Sequence, residues 1–320
     1  NRLSGSVEYY VKNTTDLLLE VPVPQPALVS TRLENIGEIS NRGVEAALDA
    51  QILSRPQLSW EAGLVFAAER NEVVDLGGRT FLQTAQASGQ GQSDTWTQRI
   101  IPGRPLGTFF GPEFTRVSTS ANVVGTDTLW LAGQQLFRCA TESPSCFNGE
   151  TRQPTGDDYA IIGDANPDFS LGLRSRLDVG NFDLSFLVHS EFGQDVFNNT
   201  ALVYATKGAV LQGRNFLRSA LNDGVDIDEP AIFSSRWVED GSFVRVQNVT
   251  LGYRFDIPRY LVEAQGARAY LSLDNVLLLT DYTGYDPSAH TAAGGLAVRG
   301  VDYLNYVRPR TVTAGISFSF

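Results

Sequence analysis

Few residues in this 320-residue chain are spaced for bond-making chemistry. His189 falls in an alternating apolar–polar segment, and His290 lies in a loop segment beside Ser288. A nucleophile needs a base within hydrogen-bond reach, and no Gly-x-Ser-x-Gly turn is there to supply one. The run Asp223-Gly-Val-Asp-Ile-Asp-Glu229 is rich in carboxylates. It lacks the spacing and glycine position of an EF-hand loop and reads as solvated loop. Cys139 and Cys146 enclose a short polar segment with a proline. They read as a local disulfide of an oxidising compartment, with free thiols as the alternative. Two thiolates without a nearby histidine are too few ligands for zinc. These residues predict no enzyme, no cofactor and no metal.

Any function must then come from surfaces, and the strands that build them dominate the pattern. From Thr311, the residues Val312, Ala314, Ile316, Phe318 and Phe320 fall on one face and Thr311, Thr313, Gly315, Ser317 and Ser319 on the other. Such a segment suits a membrane-crossing strand of about 9–11 residues, apolar toward lipid and polar toward a lumen. An edge strand of a soluble sandwich is the other reading. Similar alternation recurs over Leu3–Val11, Val44–Ala50, Trp60–Ala68, Phe169–Arg176, Phe182–His189, Val249–Phe255 and Ala269–Asp274. With weaker candidates at 108–118 and 128–137, about ten strands are predicted. A short turn near Arg259–Ala264 is the one helical signal, so the chain is all-β.

Composition agrees with that class. Hydrophobic residues make up 42%, yet no apolar run is long enough for a transmembrane helix. The net charge of −11 disfavours nucleic acid as a partner, because phosphate binding needs a basic face. There is no Met, and the chain starts at Asn1 without a signal peptide, so it reads as processed or truncated.

Connection lengths separate the two ends of the strands. Val179-Gly-Asn-Phe182 is a tight hairpin signal, and Leu53–Gln57 is a short link through Pro56. The stretches 71–107, 138–167, 193–241 and 280–309 are long and polar, as loops on one side of an outer-membrane barrel are. Arg174, Arg176, Arg245 and Arg254 all sit within strands. Facing lipid, each would cost about 2–4 kcal/mol at the midplane, so a polar interior is required.

Several further segments carry a family resemblance. Asn35-Ile-Gly-Glu-Ile-Ser-Asn-Arg-Gly-Val-Glu45 resembles the strand entry of TonB-dependent outer-membrane receptors. Gly103-Arg-Pro-Leu-Gly-Thr-Phe-Phe-Gly111, Ile162-Gly-Asp-Ala-Asn-Pro-Asp-Phe169 and Glu239–Tyr253 are similar to segments of the SusC/RagA branch. Asp274–Thr280, Gly284-Tyr-Asp-Pro287, Gly300-Val-Asp-Tyr303 and Arg308-Pro-Arg-Thr311 continue the match in the family's order. The resemblance implies an antiparallel transmembrane β-barrel with short periplasmic turns and long extracellular loops. Residues 1–320 would be the carboxy-terminal portion of a barrel of about 22 strands, with the plug domain and TonB box absent.

By the same resemblance, the protein would act in TonB-dependent import of oligosaccharides or peptides across the outer membrane. Its partners would be outer-membrane lipid, a SusD-type surface lipoprotein, the TonB complex through the missing plug, and the barrel-assembly machinery. Phe318 and Phe320 would form the signal read by that machinery. Trp96, Phe109, Phe110, Trp130, Tyr282 and Tyr285 are the loop aromatics placed to contact substrate, with a rim girdle or loop packing as their other reading. A passive channel or structural barrel is the alternative function.

Overall fold

Eight long strands form one antiparallel sheet, and their order in space is their order in the chain. They are β1 (Leu3–Thr15), β2 (Glu38–Arg55), β3 (Leu58–Asp75), β4 (Phe169–Val179), β5 (Phe182–Phe192), β6 (Phe243–Phe255), β7 (Gly266–Thr280) and β8 (Thr311–Ser319). The computed structural model describes residues 2–319 except 24–25, 27, 30, 140–144, 257–265, 289 and 292–297, and not the side chains of 19–22 and 31. The expected turn near Arg259–Ala264 and the terminal Phe320 lie outside the described residues.

Each wall strand contains one of the segments whose alternation is complete in the sequence. The candidates at 108–118 and 128–137 also contain strands, at Thr108–Pro112, Phe114–Val117, Asp127–Trp130 and Gln135–Arg138. These belong to small sheets within a loop, so the wall has eight strands rather than about ten. Their length explains the correction, because a bilayer crossing needs about 9–11 residues.

Register divides the wall into two chemically opposite faces. One rung runs Leu53–Trp60–Leu177–Leu184–Leu251–Leu271–Ala314, and another runs Gly5–Leu48–Leu64–Leu173–Val188–Val246–Leu277. The interleaved rungs are Gln51–Glu61–Arg176–Ser185–Thr250–Ser272–Thr313 and Ser4–Asp49–Gly63–Arg174–Leu187–Asn248–Asp274–Thr311. Leu48, Leu64, Leu184, Leu251 and Leu271 are exposed, and both buried apolar clusters lie elsewhere. An uncovered apolar face of this extent belongs against lipid, and the sandwich reading fails. On the same face, Ser175 lies on the rung between these two, beside Ala62 and Phe186, and there the Trp60 indole N–H donates to Ser175 Oγ at 3.0 Å.

Aromatic clusters bracket the apolar band. Phe182, Tyr253 and Phe255 stack near the short turns, and Phe66, Phe169 and Phe192 stack near the long loops. From Phe182 to Phe192 is about 33 Å of strand, or roughly 25 Å along the membrane normal at a tilt of about 40°. That matches the apolar band of an outer-membrane barrel.

A bulge corrects the faces where simple alternation would fail. Val188 pairs with Val246 and Leu187 with Asn248, which leaves Gln247 as the extra residue. Val246 and Asn248 would share a face in a regular strand; here Val246 faces lipid and Asn248 the lumen. The same shift turns Arg245 to the lumen side, opposite His189.

The hairpin turns are as short as the sequence suggests. Pro56–Gln57 joins β2 to β3, and Gly180–Asn181 joins β4 to β5 with Gly180 at φ 56°. At both ends of the sheet a glycine meets a tyrosine across the ladder, Tyr10 against Gly43 and Tyr270 against Gly315. A Cβ at Gly43 would lie 2.7 Å from the Tyr10 ring, and one at Gly315 would lie 2.5 Å from Tyr270. Only glycine lets these rings lie flat on the wall. Strands β1 and β8 end the order, so among the described residues the sheet does not close on itself.

The two faces make a direct prediction. Leu64→Arg should lower stability by about 2–4 kcal/mol, whereas Gln51→Arg on the lumen side should change it by less than about 1 kcal/mol. Urea unfolding of the full-length protein from lipid vesicles measures both, and equal effects would refute the facial assignment.

Candidate functional site

The loops at one end of the wall build a second folded unit over its mouth. A four-stranded sheet has the order Tyr159–Asp164, Thr108–Pro112, Trp96–Ile100, Leu82–Gln86. A three-stranded sheet joins Val238–Asp240, Asp195–Asn198 and Val301–Asp302. Its strands come from different loops, because Asp195–Asn198 and Val238–Asp240 lie between β5 and β6, and Val301–Asp302 between β7 and β8.

Their common core contains Ala85, Phe109, Ala165, Phe197, Leu202, Phe233 and Val301. Phe197 and Phe233 meet edge to face at 4.8 Å. Gly300 sits at φ 66° where the loops converge, and a Cβ there would lie 2.7 Å from Ala165 Cβ and 2.8 Å from the Asp195 carbonyl. A smaller cluster of Val73, Leu76 and Ile100 seats this unit on the upper end of β3.

The last loop is strapped to the wall by a buried ion pair. Arg245 on β6 is 2% exposed, and its guanidinium donates to Asp286 Oδ1 at 2.5 Å and to Ser288 Oγ at 3.1 Å. Arg245 therefore faces inward, as the need for a polar interior predicts, but a loop rather than open lumen covers it. Burial opposes the Asp286 charge, yet the Arg245 and Ser288 hydrogen bonds hold its pKa below the ordinary carboxylate value. Beside it, the Tyr282 hydroxyl donates to Asp302 Oδ2 at 2.7 Å. Burial and the nearby carboxylates Asp302 and Glu239 push that phenol well above its usual pKa. Glu239 in turn accepts from the Thr283 backbone N–H and hydroxyl, both at 2.8 Å.

The lumen side of the wall is charged and paired. Arg174 reaches Asp49 at 2.6 Å, Arg268 bonds Asp183 through two nitrogens, and Arg176 and Arg254 both contact Asp178. The exposed Arg174–Asp49 pair adds little stability, whereas Asp183 is buried beneath its arginines. Their significance is location, since all of them stand on the face away from lipid.

The candidate aromatics separate into two groups. Phe109, Trp130 and Tyr282 are buried and pack the loop unit. Trp96 and Tyr285 are exposed, at 39% and 75%, and Phe110 is half-buried. Trp96 and Phe110 line one pocket of about 280 Å³, and Tyr285 lines a larger cleft of about 800 Å³. The same cleft is lined by Asp223, Glu239, Asp240, Asp281 and Asp302, and by Arg236, which pairs with Asp223 at 2.8 Å. The arrangement offers hydrogen-bond acceptors and an aromatic face, which suits binding of polar ligands.

The other singled-out residues have structural positions. Cys139 and Cys146 are joined in a disulfide with Cα atoms 6.0 Å apart. Phe318 sits on the lipid face, opposite Ala267 near the short turns. The Asp223–Glu229 carboxylates serve turns and pairs: Asp223 holds Lys207 and Arg236, and Asp226 accepts from the Asp228 N–H. Ser288 Oγ is engaged with Asp286 and Arg245, while His290 Nδ1 accepts from the Gly300 N–H. The two side chains do not form a nucleophile–base pair.

Comparison with known proteins extends over the whole chain. It is 31% identical to TonB-dependent receptor P3 of Formosa agariphila, covering all of this chain and 32% of that protein. It is 24% identical to the TonB-dependent receptor SusC of Bacteroides thetaiotaomicron, of which it covers 30%. A solved structure of the RagAB peptide transporter superposes with a TM-score of 0.78 at 23% identity, covering all of this chain and 34% of that one. The chain thus spans about a third of the length of the curated relatives it matches. No family model matches it.

Removing the strap's carboxylate should free the last loop. Asp286→Asn leaves a buried guanidinium short of its counter-charge and should cost the loop's attachment about 3–5 kcal/mol. Because the Asp286 pKa is depressed on folding, wild-type attachment should be complete above the ordinary carboxylate pKa and weaken only as the pH falls below it. Hydrogen exchange across 281–310 reads both effects; unchanged protection in the variant would refute the strap.

Proposed function

We propose that this chain, a segment of a SusC/RagA-type TonB-dependent receptor of the outer membrane, supplies wall and loops for the energised import of oligosaccharides or peptides. The carrying observation is the two-faced wall, apolar toward lipid and charged toward the interior, with a folded loop unit over its mouth. Residues 1–320 serve as the carboxy-terminal portion of the barrel domain, and the plug and TonB box belong to other parts of the receptor. The outer edges of β1 and β8 carry backbone groups that lipid cannot satisfy, at several kcal/mol each, so further strands complete the wall.

In this reading the loop unit captures cargo on the cell surface. Its clefts, with Tyr285, Trp96 and Phe110 at their margins, face the side where a SusD-type lipoprotein would deliver it. The similarity to SusC and the shared fold with RagAB support this assignment of roles. Phe318 and Phe320 serve as the signal for the barrel-assembly machinery. Chemistry on the cargo has no part in the reading, in which Asp286, Ser288 and Glu239 hold the loops together.

Uptake tests the proposal. Deleting the TonB-contacting segment of the full receptor should abolish accumulation of labelled oligosaccharides or peptides while the outer-membrane level and heat-modifiable gel mobility stay unchanged. Undiminished uptake without that segment would make the protein a passive channel.

A further inference from the structure

Most arginines of known geometry in this chain meet a carboxylate. Arg116 pairs with Glu150, Arg174 with Asp49, Arg236 with Asp223, Arg245 with Asp286 and Arg268 with Asp183. Arg99 differs. It lies in the central strand Trp96–Ile100 of the four-stranded loop sheet, between Gln83 and Thr108 on the neighbouring strands. Its guanidinium carbon stands 4.1 Å from the Phe81 ring centroid and 3.8 Å from that of Phe110. Among the described residues it makes no hydrogen bond and no ion pair.

Two rings therefore fix the orientation of a half-buried cation whose N–H donors lack an acceptor. Burial lowers its pKa from the usual arginine value, and Tyr159 is the titratable neighbour that opposes this. An arginine kept only for packing would be replaceable by an apolar side chain at less desolvation cost. A planar fork held between rings is instead set up for two-pronged recognition of a carboxylate.

The surroundings match such a ligand. Arg99 opens into the pocket of about 280 Å³ together with Trp96, Phe110, Tyr159, Gln83 and Asp94. That volume is near the lower end for small-molecule sites and admits one ring or one side chain. Trp96 and Tyr159 offer aromatic surface for an apolar or flat face, and Gln83 offers an amide for hydroxyls or peptide groups. Asp94 stands at the rim and forms no ion pair with Arg99.

We propose that this pocket is a subsite for a carboxylate carried on a flat or apolar ligand unit, with Arg99 as its anchor. Uronic sugars and peptide carboxy-termini both present that chemistry. The proposal rests on the import reading for the source of the ligand, while the recognition itself depends on Arg99 and its pocket.

Calorimetry on the purified full receptor in detergent tests it with two matched pairs. One is digalacturonate against its methyl ester; the other is N-acetyl-Gly-Gly-Phe against N-acetyl-Gly-Gly-Phe-amide. The wild type should bind the acid of at least one pair about tenfold or more tighter than its neutral form. Whichever pair discriminates identifies sugar or peptide as the source. Arg99→Gln should erase the discrimination without weakening the neutral ligand. Arg99→Lys, which keeps the charge but not the fork, should retain part of it and covers the case in which Arg99→Gln disturbs the loop sheet. Equal binding of acid and neutral forms by the wild type, or discrimination surviving in Arg99→Gln, would overturn the subsite. Binding in detergent needs no TonB, so a failed subsite with intact TonB-dependent uptake leaves the import reading standing.

Discussion

Backbone hydrogen bonding in a medium without water is the constraint on which the rest of this structure depends. Lipid offers no donors or acceptors, so each wall strand must find its partners in its neighbours. That requirement explains the unbroken ladder from β1 to β8 and the simple meander of its order. It also fixes chemistry, because antiparallel pairing sets side chains on shared rungs, so residues of one rung face the same medium. Trp60 and Ser175 obey the same rule at side-chain level by satisfying each other on the lipid face.

At the mouth of the wall, water returns and the rules relax. Short strands, tight turns and 3-10 segments become affordable, and the loops fold on a core of their own. That core is assembled from connections far apart in sequence, with Gly300 allowing the closest approach. Ion pairs change meaning between the zones. On the lumen wall, pairs such as Arg174–Asp49 are exposed and keep charge on the wet side; Arg245–Asp286 is buried and fixes a loop in place.

The wall was legible in the sequence because its physics is local. Period-2 alternation marked segments of all eight strands, and Gly180–Asn181 and Pro56–Gln57 marked the turns between them. The strand count was overestimated because short strands at 108–118 and 128–137 share the alternation but not the length. Arg245 shows a subtler limit: counting back by twos from Val249 would put it toward lipid, and only the bulge at Gln247 turns it inward. The loop unit was less legible because its contacts are long-range. Phe109, Trp130 and Tyr282 looked like Trp96 and Tyr285 in sequence, and burial alone separates them. The Arg99 environment left no sequence signal, since Phe81 comes from the residue before one strand of the loop sheet and Phe110 from another strand. Gly284-Tyr-Asp-Pro287 carried a family resemblance, but nothing in it showed that Asp286 pairs with Arg245.

The tyrosines laid across glycines bear on how much room the interior has. Tyr10 over Gly43 and Tyr270 over Gly315 spread large side chains along the wall instead of projecting them inward. A side chain at either glycine would force its ring upright, narrowing the bore by about the length of a ring at that height. These pairs thus set the free radius beside the two outermost strands, as lining thickness does in a pipe.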